Sequence, residues 1–117
     1  MSRPRRPKAD RSFTVPLYGG RVYLYTNPDK LNQASEHFGL DRADTDSLHG
    51  IFRKTSTVNG SVYLIGQFTP KRSILVHEAA HCAMNILHYV GIPTNEESDE
   101  AFCYLLDHLC TKLGLDE

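Results

Sequence analysis

The sequence predicts a small α+β domain, with an antiparallel sheet first and two packed helices last. Three observations carry that expectation. Two tight-turn dipeptides, Gly19-Gly20 and Asn59-Gly60, each sit between short β-branched and aromatic runs. The second half of the chain switches to helical periodicity, with apolar residues every three or four positions from Leu75 to Leu113. A short helical signal separates the two hairpins, so the element order reads β-β-α-β-β-α-α.

Phe13 to Tyr18 and Arg21 to Thr26 form the first expected hairpin. Asn27 then stands as N-cap of a helix with Pro28 in its first position, running to Phe38 and closing at Gly39. Leu40 to Gly50 is polar and acidic, with Asp41, Asp44 and Asp46, and reads as a loop. Ile51 to Val58 and Ser61 to Phe68 pair around Asn59-Gly60, the strongest short hairpin signal. Thr69-Pro70 reads as N-cap and first residue of a long helix that Gly91 ends, with Pro93 just beyond. One face of this helix carries Leu75, Val76, Ala79, Cys82, Ala83, Ile86, Leu87 and Val90. His77, Glu78, His81, Asn85 and His88 fall on the other side. A last helix from Asn95 to Leu113 turns Ala101, Phe102, Leu105, Leu106, Leu109 and Leu113 inward.

A chain of 117 residues supports one domain with one modest core. Its 40% hydrophobic and 23% charged residues place it with ordinary globular proteins. No apolar run approaches the roughly 20 residues of a bilayer span, so no membrane role is expected. The formal net charge of −1 argues against bulk attraction to nucleic acid or to a membrane surface. Five of the thirteen Lys and Arg fall in residues 1–11 together with two prolines. That stretch reads as a disordered basic arm, and residues 12–117 as the folded domain. The domain itself is net acidic, which speaks against a broad nucleic-acid-binding face. Cys82, Cys103 and Cys110 are an odd set with no C-x-x-C pair, and read as reduced, small buried hydrophobes of an intracellular protein.

His77-Glu78-Ala79-Ala80-His81 is an H-E-x-x-H motif within the first long helix. Residues four apart on a helix project from one face, about 40° apart around the axis. Two imidazole nitrogens can then reach one Zn²⁺, and the glutamate between them can act as general base. A purely structural site has no need of that base. Two histidines hold zinc weakly, and a catalytic site normally has three protein ligands. The short turn after Gly91 returns the last helix antiparallel to the first, offering Glu96, Glu97, Asp99 and Glu100. Thr94-Asn95-Glu96-Glu97 fits a T-x-x-E capping box that would occupy Glu97 and leave Glu100 free. The expected ligand set is His77, His81 and Glu100, spaced H-E-x-x-H-x18-E; the alternative for Glu100 is an ordinary acidic residue in a helix's first turn. His37, His49 and His108 carry no partner signal. His88, seven residues past His81, reads as a solvated or satisfied histidine.

From about Ser73 to Leu109 the chain resembles the gluzincins. Its compactness and the run from Asn95 to Leu105 look like the small zincin-like proteins encoded by phages and prophages. The resemblance implies a minimal zincin-like metallopeptidase, with Zn²⁺ at His77, His81 and Glu100 and Glu78 as catalytic base. It implies a protein or peptide substrate and a cytoplasmic setting in a bacterial cell or infected host. Larger gluzincins carry an acidic residue one turn after the ligand glutamate; here Tyr104 stands at that position, with Asp107 further on. In the implied mechanism zinc polarises a water and a carbonyl, lowering the water's pKa toward about 7. Glu78 carries the proton to the leaving amine, and Tyr104 or His88 stabilises the oxyanion. Zincin-type enzymes bind extended peptides by strand addition, and Ser61 to Phe68, which leads directly into the motif helix, is the expected edge strand. Two other expectations compete with this one. The first is a non-catalytic zinc-binding module that presents a surface to a host or virion protein. The second is a DNA-associated regulator that uses the basic arm.

Overall fold

The computed structural model describes residues 2–117. It orders them as strands β1 (Arg11–Thr14) and β2 (Arg21–Tyr25), helix α1 (Pro28–His37), strands β3 (Gly50–Thr57) and β4 (Gly60–Gln67), and helices α2 (Arg72–Tyr89) and α3 (Asp99–Lys112). The α+β class and the element order are those expected. The sheet is mixed rather than antiparallel throughout. Its order is β1-β2-β4-β3, and β2 runs parallel to β4 with Val22 beside Tyr63 and Leu24 beside Ile65.

That order follows from the path of the chain. After β2 it crosses through α1 and a loop to the outer position, forms β3, and turns back, so β4 drops in between β3 and β2. Ser61 to Phe68 is therefore a central strand, and the expectation that it forms the sheet edge is overturned. The physical sign was present in its composition. Val62, Tyr63, Leu64 and Ile65 are all buried, as in a strand covered on both faces. Alternate residues serve two cores. Val22, Leu24, Tyr63 and Ile65 meet α2 and α3, while Tyr23, Tyr25, Val62 and Leu64 meet Leu31 and Ala34 of α1.

The ends of several elements differ from expectation for local reasons. β1 stops at Thr14, because Pro16 cannot donate to a ladder and Leu17 takes a left-handed φ of 68°. The 15–20 loop is consequently wider than a two-residue turn. α1 begins as expected, with Asn27 Oδ1 accepting from the Lys30 amide at 3.0 Å. α2 begins after Lys71, and Thr69 caps nothing. At its other end Gly91 adopts φ 83°, the Ile92 amide donates to Leu87 O (2.9 Å) and the Gly91 amide to His88 O (3.0 Å), a Schellman ending. The T-x-x-E capping box does not form. Asn95 Oδ1 accepts instead from the Glu97 amide (3.0 Å), Ser98 becomes the N-cap, and α3 starts at Asp99. None of the helices among the described residues is long and apolar enough to cross a membrane. The cysteines are free. Cys82 is buried, which pushes its thiol pKa up, whereas Cys103 is exposed, against the expectation that all three are buried.

The basic arm is tied down. Asp10 continues the β1 pairing through its amide to Leu24 O (2.8 Å), and its carboxylate accepts from the Thr26 amide (2.9 Å). Tyr25 Oη donates to Pro7 O at 2.7 Å, and the Arg6 guanidinium lies 4.5 Å above the Tyr23 ring. Gln33 Nε2 donates to Arg5 O, and His37 Nδ1 meets Pro4 O. Residues 4–10, within the stretch expected to be disordered, thus pack on the α1 side of the sheet and help bury Tyr23 and Tyr25. Starting the chain at Ala9 is expected to lower stability by about 1–3 kcal/mol, read as a lower urea midpoint at unchanged m. An unshifted midpoint would show that the arm contributes no packing.

Candidate metal centre

His77 and His81 occupy successive turns of α2, and their Nε2 atoms lie 3.2 Å apart. Two nitrogens bound to one tetrahedral zinc at its usual bond length are separated by about 3.3 Å. The imidazole pair therefore has the bite that a single ion requires. A carboxylate oxygen of Glu78 lies within 4.8 Å of a nitrogen on each ring, and these three form the one such metal-capable group among the described residues.

Glu78 does not share the solvent face expected for it. Its exposure is 8%. The reason lies across the cleft in β3. A Cβ built on Gly50 would fall 2.6 Å from Ile74 Cγ2, 3.0 Å from Glu78 Oε2 and 3.0 Å from Gly66 O. Only glycine lets α2 come this close to the outer strand, and that approach covers the carboxylate. Burial raises the Glu78 pKa, and the neighbouring His77 and His81 pull it partly back.

The next residue of β3 on the same face holds the second histidine. Phe52 stacks on the His81 ring, with centroids 6.3 Å apart and planes 20° apart, and stacks equally on Tyr63 behind it. Asn85 Nδ2 donates to His81 O one turn on. The ring is thus fixed from the strand side.

His77 and Glu78 open onto a hollow of about 410 Å³, walled by Ser47, Leu48, His49 and Gly50 on one side and by Ser73, Ile74, His77 and Glu78 on the other. His49 is a residue that sequence reasoning passed over. Its Nδ1 is hydrogen-bonded to Thr69 Oγ1 at 2.8 Å. The hydroxyl read as a helix cap instead orients an imidazole on the cleft wall and leaves Nε2 free. The only sequence signal was position, since His49 and Thr69 flank the β3–β4 hairpin and must end side by side.

Glu100 and Tyr104 are not brought to the histidines. Arg72, the first residue of α2, donates to the carbonyls of Leu115 and Glu117, both at 2.8 Å. The end of α3 is thereby pinned beside the start of α2, and Glu100, in the first turn of α3, is level with the last turn of α2. That is about 10 Å along the axis from His81. α3 also leans toward the opposite sheet edge. His108 packs edge-on to Phe13 of β1, and Tyr104 lines a groove with Pro16, Leu17 and Tyr18. Glu100 and Asp107 are both exposed and lie outside the metal-capable group. His88 is exposed too, beyond the metal centre on α2.

Gly50→Ala is expected to cost about 1–3 kcal/mol and to weaken zinc binding, because α2 must retreat from β3; an unchanged zinc affinity by competition titration would refute the close-approach account. Glu78 holds its proton more tightly when folded than when unfolded. Its contribution to stability is therefore full below the ordinary value of 4.5 and is lost as pH rises through the raised folded pKa. In chelator, Glu78→Gln should flatten that decline in thermal midpoint on the alkaline side of the ordinary value.

Comparison of the chain with protein-family models, curated proteins and solved structures gives no match.

Proposed function

We propose that the protein is a zinc-dependent hydrolase that cuts an extended peptide laid along the free edge of β3. The observation that carries this reading is a buried carboxylate set beside two imidazoles whose Nε2 atoms stand 3.2 Å apart. A surface coincidence of polar helix residues would leave Glu78 in solvent. A zinc ion held by His77 and His81 would supply Lewis acidity toward a carbonyl and acidify a water.

The chain's own groups divide the remaining work. Glu78, with its proton affinity raised by burial, accepts the proton of the attacking water and delivers it to the leaving amine. His49, held through Nδ1 by Thr69, presents Nε2–H to the developing oxyanion. The free edge of β3 beside α2 takes the substrate backbone in the role first expected of β4. Free thiols suit a reducing, intracellular site of action.

One observation favours a second reading. α3 supplies no third ligand, and a zinc-binding module without turnover tolerates that more easily than an enzyme does.

Metal analysis of untagged protein by mass spectrometry is the first test. About one zinc per chain is expected, lost in His77→Ala and retained in Glu100→Ala. No stoichiometric zinc after reconstitution would remove both readings. Glu78→Gln should keep the metal and abolish cleavage of a proteome-derived peptide library; zinc-loaded wild type without any cleavage would leave the module. His49→Ala should keep the metal and lower kcat about 100-fold, and loss of zinc in this variant would make His49 a ligand instead.

A further inference from the structure

A second hollow, of about 200 Å³, lies in the same β3–α2 cleft on the far side of His81. Lys54, Ser56 and Ser61 enter it from the sheet, and Asn85, His88 and Tyr89 from the helix. No carboxylate lines it. The ion pairs among the described residues join Arg11 to Glu117 and Arg42 to Asp29 and Glu36, so Lys54, which lines this hollow of hydroxyl, amide and imidazole groups, is neutralised by none of them. Tyr63, stacked on Phe52, forms its inner wall and links it to the metal centre.

We propose that this hollow is a recognition subsite for a substrate carboxylate, the side chain of a Glu or Asp that precedes the bond to be cut. The inference deepens the hydrolase reading and rests on its placement of substrate along β3. Direction follows from the register of the cleft. β3 runs from Gly50, against Glu78, past Phe52, against His81, to Lys54 and Ser56, beside Asn85 and Tyr89. A peptide added antiparallel to β3, the more stable pairing, therefore runs from the Lys54 hollow toward the His49 hollow. Asn85 and His88 lie about 6 and 10 Å beyond His81 along the helix. At about 3.3 Å per extended residue, the acidic side chain stands roughly two or three residues before the scissile bond. An ammonium with neighbouring hydroxyl donors, walled by two tyrosines, favours a carboxylate over the isosteric amide through charge-assisted hydrogen bonds.

The test uses two fluorescein-labelled peptide libraries of mixed neutral residues, identical except for one fixed Glu or Gln. Binding is followed by polarisation on full-length, zinc-loaded Glu78→Gln protein, so that turnover cannot consume the probe. The Glu library should bind about tenfold tighter, and adding Lys54→Gln should abolish the difference. Equal binding of the two libraries, or a preference that survives Lys54→Gln, overturns the subsite. Cleavage by the unsubstituted protein is scored separately by mass spectrometry. Acid-selective binding without cleavage retains the subsite and removes the hydrolase. Cleavage without acid preference does the reverse. Cuts on the N-terminal side of the fixed Glu overturn the assigned direction.

Discussion

The contact between α2 and the outer strand at Gly50 is the constraint on which the candidate centre depends. With no Cβ at that position, Ile74 and Glu78 settle directly onto the β3 backbone. Three consequences follow from this one approach. The Glu78 carboxylate leaves solvent, Phe52 reaches the His81 ring, and the polar face of α2 becomes one wall of a cleft whose other wall is β3 and the residues before it. A larger residue would lift the helix and return the same side chains to the surface, where they would be an ordinary solvated face.

Burial of Glu78 is electrostatically unfavourable. A carboxylate with little exposure loses hydration, and the two imidazoles nearby pull its pKa only partly back. The imidazoles in turn direct Nε2 atoms at each other across 3.2 Å, close to the separation of two nitrogens on one tetrahedral cation. The fold can carry this because its cores lie elsewhere. The tyrosines and aliphatics of β2 and β4 are covered on one face by α2 and α3 and on the other by α1 and the N-terminal arm. Burial is concentrated in the two central strands, and the outer strand β3 keeps one edge unpaired.

The position of α3 decides what kind of metal centre this can be. Arg72 anchors the last residues of the chain beside the start of α2, so the first turn of α3 and its acidic residues gather at the opposite end. The nine-residue stretch between the helices, organised by Asn95 and Ser98, delays the start of α3 and moves Glu100 further away. Metal binding here would rest on two imidazoles and whatever the cleft adds, with His49 already oriented by Thr69. A two-imidazole centre would bind an ion less tightly than a three-ligand one.

Features that arise within a few residues were legible in the sequence. The Asn27 cap with Pro28, the Asn59-Gly60 turn, the Gly91 ending and the i, i+4 placement of His77 and His81 each depend on local backbone geometry, which residue type dictates directly. Features that join distant segments were not. Periodicity placed Glu78 on a polar face but carried no information about Gly50, more than twenty residues earlier, which buries it. The apolar run of β4 announced a covered strand, yet only the crossover through α1 made it central and left β3 as the edge. The T-x-x-E pattern suggested a cap that Asn95 and Ser98 pre-empted, and with it a third ligand that helix length and Arg72 keep away. By itself the sequence determined the two imidazoles and the glutamate between them, because one helical turn sets their spacing. Tertiary structure alone decided which wall they face, since that depends on how closely one helix can approach one strand.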